Sequence, residues 1–207
     1  MADVRKAPYD AVAKEAFDYV RDKMRVGAAN RYFDQPAHYL PDLPFSSAMA
    51  PNVYNRLGCV SAMREITSAI VNPMWDRVNQ VPESIYATVK MEAHGKTIDI
   101  YAAKAEEFGC GNCHEQSALT FQYLRNRGVR PLDWIMQAAL YTVPVLGARG
   151  DHVFVIIGRD GTKDVGDVTK WNPEVFWCDP YENEMGGLDR IRERFKGKSL
   201  SLMHRLD

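Results

Sequence analysis

Residues 109–128 read GCGNCHEQSALTFQYLRNRG, and their reading decides how the rest of the chain is understood. Asn112 is a good helix N-cap, because its short side chain accepts a hydrogen bond from an unpaired first-turn amide. From Cys113 to Asn126 the spacing puts Gln116 or Ser117, Thr120, Phe121 and Leu124 on one side, and Gly128 stops the helix. Cys113 therefore falls in the first turn, where unpaired N–H groups and the helix dipole favour negative charge. Such an environment lowers a thiol pKa from about 8.5 to roughly 3.5–7.5, and the thiolate is the nucleophile. The same N–H groups are what an oxyanion needs. Taken alone, the segment is also compatible with an inert cysteine at a helix start.

Working downstream, Trp134 to Val143 is apolar and reads as a strand. HVFVII (152–157) reads as a buried strand closed by the turn GRDG, and VFWC (175–178) as another ended by Asp179-Pro180. A helix followed by at least three strands implies an α+β fold with the helix packed on an antiparallel sheet. His152 then stands at a strand entrance and Asp179 where a strand ends. Adjacent antiparallel strands present such residues side by side, so that Asp179 accepts from one ring nitrogen while the other faces Cys113. A lone histidine is ordinarily structural or exposed; the combination is what points to nucleophilic chemistry.

Upstream, Tyr9, Val12, Ala13, Ala16, Phe17, Val20 and Met24 form an apolar stripe that predicts a helix ending near Gly27. Residues 30–51 hold four prolines and read as a loop. A second helix is expected from Asn52 as cap through Leu57, Val60, Met63, Ile66 and Ile70, stopping before Pro73. A third is expected to begin with Pro82 as its first residue. Thr97 to Phe108 is ambiguous, opening strand-like with TIDIY and continuing helix-like with AAKAEEF.

Composition narrows the classes. At 207 residues, 46% apolar and 26% charged, the chain fits one soluble globular domain with a core that needs no staples. A net charge of −1 provides no overall basic field for nucleic acid or anionic membrane. No run approaches the roughly 18 apolar residues of a membrane span, and the opening residues lack the apolar region of a secretory signal. Cys59, Cys110, Cys113 and Cys178 are too few for a disulfide scaffold. Cys110 and Cys113, separated by Gly-Asn, are the pair expected to oxidise reversibly. Glu115 is expected to complement the helix dipole, and His38, His94 and His204 to lie on the surface. Trp134, Trp171 and Trp177 fit core or cleft wall. LDRIRERFKGKSLSLMHR (188–205) reads as a basic, solvated face, helix-prone up to Gly197.

GNCHEQSALTFQYLRNRGVRP (111–131) resembles the nucleophile helix of the transglutaminase-like superfamily, where a cysteine in a G-x-C-x-E or N-C-x-E setting opens a helix ending in L-x-x-x-G-[IV]. DHVFVII (151–157) resembles that family's histidine strand and VFWCDPY (175–181) its aspartate strand, in the family's order. The resemblance implies a papain-like fold with Cys113 as nucleophile, His152 as general base and acid, and Asp179 as orienter. It requires neither cofactor nor metal. The domain expectation is one catalytic domain over 1–207, with 1–51 a helical extension and proline-rich loop and 52–207 the papain-like core.

The superfamily includes transglutaminases, thiol proteases, peptide N-glycanases and bacterial effector domains that deamidate host glutamines. Papain-type proteases usually show Cys-Trp at the nucleophile, whereas His114 follows Cys113 here. The chain also leaves little room for the extra barrels of amine-accepting transglutaminases. The expectation is a protein-glutamine deamidase, with cysteine protease and transglutaminase as alternatives. Its partner is a protein bearing a target glutamine or amide, with no nucleic acid and no membrane span. A compact domain with an unplaced helical front resembles effectors secreted into a host cytosol; otherwise a cytoplasmic location is expected. Three rival readings are a C-x-x-C redox motif at Cys110–Cys113, half a zinc site completed by His114, His152 or Cys178, and a non-catalytic interaction module. No side-chain oxyanion donor is identifiable.

Overall fold

The computed structural model describes residues 9–27, 50–138 and 151–207. Helix α1 (Tyr9–Lys23) buries Ala13, Ala16, Phe17 and Val20, the one-face spacing of an amphipathic helix. The proline-rich loop expected over 30–51 lies outside the described residues except for Ala50 and Pro51, which already belong to α2 (Ala50–Val78).

Two helix boundaries differ from expectation. Asn52 lies inside the first turn of α2 instead of capping it, and α2 does not stop at Pro73 but runs through it to Val78. Proline removes one backbone donor and is costly inside a helix. Here Val71 and Val78 are buried on either side of it, so packing against α3 (Glu83–Phe108) outweighs the local penalty. Pro82 caps α3 and is not its first residue. The ambiguous Thr97–Phe108 stretch is helical throughout. Its Thr97, Ile98, Ala102 and Ala105 continue a buried face begun by Ala93, and the Thr97 hydroxyl donates to the Ala93 carbonyl at 2.8 Å. Helix α4 (Cys113–Asn126) has the bounds that its cap and stop residues imply.

Five strands form one antiparallel sheet in the order β4-β3-β2-β1-β5: β1 Leu132–Gln137, β2 His152–Ile157, β3 Phe176–Asp179, β4 Glu184–Gly187 and β5 Leu200–Leu206. The protein is α+β, as expected. The end of the strand predicted over 134–143 lies outside the described residues. The basic tail is not a solvated face. It forms α5 (Leu188–Phe195), which buries Ile191 and Phe195, and then the edge strand β5. Arg205 on β5 reaches the buried Asp133 at 2.9 Å, beside the Arg159–Asp133 pair at 2.5 Å.

Alternation along the strands makes two cores. On one face Trp134, Val153, Val155, Ile157, Phe176 and Cys178 pack with residues of α1, α3 and α4. On the other, Ile135, Phe154, Ile156 and Trp177 pack with Trp171, Val175, Ile191 and Phe195. Full burial of such large side chains is worth about 1.5–3 kcal/mol each. Helix α1 thus shares its core with the sheet.

His94 on α3 is buried and His204 on β5 is half-buried, because α3 packs over β5. His94 is 8% exposed and meets Trp75 edge-on at 4.6 Å and Trp134 at 6.2 Å, with its Nδ1 unpartnered among the described residues. The Nδ1 of His204 lies 3.0 Å from the Met91 carbonyl. His38 lies outside the described residues.

Candidate active site

The approach to α4 is set by two glycines. Gly109 ends α3 at φ 70°, in the left-handed region, and its carbonyl accepts from the Val26 amide at 2.8 Å. At Gly111 a Cβ would stand 2.5 Å from Glu115 Cβ, so only glycine allows the helix start to close over that carboxylate.

Glu115 does more than complement the dipole. Its carboxylate accepts from the Asn112 amide at 2.8 Å while the Asn112 side chain accepts from the Glu115 amide, a complete capping box. It is also paired with Arg64 of α2, at 2.8 and 3.1 Å. The Gln116 amide bonds the Asn112 carbonyl. Among the described residues this leaves the amides of Cys113 and His114 as the first-turn donors without an acceptor.

Cys110 does not pair with Cys113. It is disulfide-bonded to Cys59 of α2, in a small apolar cluster with Val60 and Met63. The helix, not spacing along the turn, supplies its partner. The C-x-x-C is therefore not a dithiol. Cys178 lies in the core, its thiol donating to the Ala13 carbonyl at 3.5 Å, and among the described residues no group of three or more His, Cys, Asp or Glu is arranged to hold a metal ion.

Cys113 is 7% exposed and packs against Tyr181. Its Sγ lies 3.8 Å from His114 Nδ1 and 3.9 Å from the Asp151 carbonyl oxygen. His152 opens β2 and Asp179 closes β3. Val155 pairs with Cys178, so the register puts Asp179 level with Phe154 and diagonal to His152. His152 Nε2 lies 2.6 Å from Asp179 Oδ2, and Asp179 Oδ1 accepts from the Glu182 amide at 3.1 Å. The ring of His152 lies 5.8 Å from Phe154 and 5.6 Å from Tyr181. With Nε2 taken by Asp179, Nδ1 is the nitrogen left for the thiol. The three residues singled out in the sequence thus converge at the start of α4.

Burial works against both charges here, and the neighbours overturn it. For Cys113 burial raises the thiol pKa, but hydrogen bonds and charge from His114 and His152 bring it down to about 7. For His152 burial lowers the imidazole, but the Asp179 carboxylate and the thiol lift it to about 10. Both shifts favour the thiolate–imidazolium form of the pair.

Sequence reasoning weighed His114 only as a zinc ligand and passed over Asp151 as a chemical group, although each adjoins a predicted residue. It also passed over Arg64 and Tyr181. The N-x-x-E pattern at 112–115 was a readable signal for the capping box; nothing local could have named Arg64. Among the described residues no helix is long and apolar enough to cross a membrane. Compared with known proteins, the chain matches no family model, no curated protein and no solved structure.

Proposed function

We propose that this chain is a cysteine-dependent amide hydrolase of the transglutaminase-like, papain-like kind, acting through a thioester on a protein glutamine side chain. The observation that carries this reading is the 2.6 Å His152–Asp179 contact beside a helix-start thiol whose pKa is held at about 7.

In the proposed cycle the Cys113 thiolate attacks the carboxamide carbon, and the negative charge on oxygen faces the amides of Cys113 and His114. The C–N bond breaks as His152 gives its Nδ1 proton to the departing ammonia, leaving a thioester. His152, now neutral, takes a proton from water as the water oxygen bonds to carbon, and the thiolate leaves. Asp179 holds the ring in the productive orientation throughout. The choice of water over an amine or a backbone amide rests on the N-C-x-E resemblance. The Cys59–Cys110 disulfide supports a protein that meets an oxidising compartment, which fits secretion better than permanent residence in a reducing cytosol.

The test is incubation with glutamine-rich proteins, read by ammonia release and intact mass. Conversion of amide to acid, abolished in Cys113→Ala, is the expected result. Cys113-dependent fragments would move the reading to a protease, and amine incorporation to a transglutaminase. Turnover that survives Cys113→Ala would remove it.

A further inference from the structure

The sulfur of Cys113 faces not one imidazole but two. His114 Nδ1 lies 3.8 Å from Sγ, and its Nε2 lies 3.8 Å from Asp151 Oδ2. This second pair is a looser and more exposed counterpart of the 2.6 Å pair of His152 and Asp179. It comes from the two junctions that carry Cys113 and His152, since His114 follows Cys113 at the start of α4 and Asp151 precedes His152 at the start of β2. The ring of His114 is backed by Trp134 at 6.2 Å and Tyr101 at 6.4 Å. The turn that carries it is fixed as well: Ser117 Oγ donates to the His114 carbonyl and accepts from Trp134 Nε1 at 2.8 Å.

The proposed reaction has a use for a second cation. His152 gives its proton to the leaving nitrogen during acylation, and it is occupied with a proton of water when the thioester breaks. At that moment the sulfur must leave as an anion. We propose that His114, steadied by Asp151, is a second catalytic imidazole on the Cys113 sulfur, keeping its own proton and stabilising the thiolate while His152 moves protons. The proposal rests on Cys113 being the nucleophile. In acylation S–C forms and C–N breaks, with the His152 proton going to nitrogen. In deacylation O–C forms and S–C breaks, with a water proton going to His152. His114 stays protonated through both.

The surrounding charges permit this. The Asp151 carboxylate, the Cys113 thiolate and the Asp179 carboxylate stand around the two imidazoliums. Glu115 on the same helix is paired with Arg64 from α2, and among the described residues Tyr101 on α3, its phenol pKa raised by burial, and Tyr181 after β3 also lie close by. Burial opposes charge on His114, but the thiol, Asp151 and Glu115 outweigh it and raise its pKa.

The test is the rate of alkylation of Cys113 by iodoacetamide as a function of pH, in the parent and in His114→Gln, with folding checked by circular dichroism. The parent midpoint is expected near 7, and that of His114→Gln higher by about one unit. Superimposable profiles in two folded proteins would overturn the proposal, because a merely structural histidine does not move a thiol titration. The reciprocal measurement needs no His114 variant. By linkage, the His114 ring followed by NMR must titrate at lower pH in Cys113→Ala than in the parent, and an unchanged titration would equally overturn it. Neither readout uses an amide. A shifted profile in a protein that hydrolyses no amide keeps the second imidazole and removes the proposed function. An active hydrolase with an unshifted profile does the reverse.

Discussion

Arg64, on α2, reaches 51 positions along the chain to grip the buried carboxylate of Glu115, with Nε 2.8 Å from Oε1 and a terminal nitrogen 3.1 Å from Oε2. The contact ties α2 to the first turn of α4, so Cys113, the proposed nucleophile, is positioned partly by a helix that contributes no proposed reacting group. Removing one partner of a buried pair costs about 3–5 kcal/mol. Arg64 keeps 44% of its side chain exposed, and water screens that much of the interaction, so Arg64→Met is expected to cost roughly 2 kcal/mol. Urea unfolding measures it. An unchanged midpoint would mean that the clamp contributes nothing.

For the proposed hydrolase, the thiol and imidazole values bracket the working range. The value of kcat/KM is expected to rise through about pH 7 as Cys113 ionises and to fall through about pH 10 as His152 loses its proton. Asp179→Asn removes the charge that lifts His152, burial then pulls the imidazole down, and the alkaline limb moves to lower pH. Stability follows with a definite sign. The folded value of His152 lies above the unfolded 6.5, so its contribution is complete below 6.5 and is lost as pH rises towards 10. The stability deficit of Asp179→Asn should therefore be largest in mild acid and shrink in base. Parallel stability curves for the two proteins would contradict this.

The α4 boundaries and the order of the three site residues were legible because each is a local matter: a cap, a stop glycine and two strand ends. What escaped was decided at a distance. Pro73 signals a helix end, yet burial of Val71 and Val78 carries α2 through it. Arg205 looks like a solvated charge until β5 brings it to Asp133. Cys110 has a partner three residues away in sequence and bonds instead to one 51 residues away. His94 gives no periodic signal of its own, and only the packing of α3 over the sheet buries it. Topology, not composition, settles such residues.

That buried histidine has a measurable consequence. Burial, helped by Lys90 and His204, lowers His94 to about 4, and its Nδ1 has no partner among the described residues. Above 6.5 the ring is neutral in both states and costs nothing in protonation. Between 6.5 and 4 the unfolded chain takes up a proton that the native ring refuses, so stability falls with acid, by about 2 kcal/mol near pH 5. His94→Phe keeps an aromatic ring between Trp75 and Trp134 and cannot titrate. The loss of stability between neutral pH and pH 5 should be smaller in the variant by about that amount. Equal losses in the two proteins would show that His94 is already protonated in the folded state.

The disulfide makes the last prediction, and it concerns which sulfur reacts. Cys59 and Cys110 are joined, Cys178 is fully buried with its thiol pushed up by burial and by Asp179, and Cys113 alone is both free and held near neutrality. Iodoacetamide near neutral pH should therefore modify Cys113 only, with Cys178 appearing after unfolding and Cys59 and Cys110 after reduction. Because the bridge spans 51 residues, chain entropy assigns it roughly 4 kcal/mol, and Cys59→Ala should lower stability by up to that amount. The same bridge bears on Cys113. Cys110 stands three residues before Cys113, and its bond to α2 keeps it from the closer thiol. Mild oxidant should form no Cys110–Cys113 disulfide in the parent, as read by non-reducing peptide mapping. In Cys59→Ala, where Cys110 is released beside the turn, oxidant should instead abolish labelling of Cys113 until reductant is added. A Cys110–Cys113 disulfide in the oxidised parent would show that the bridge exchanges, and that the protecting role assigned to Cys59 is wrong.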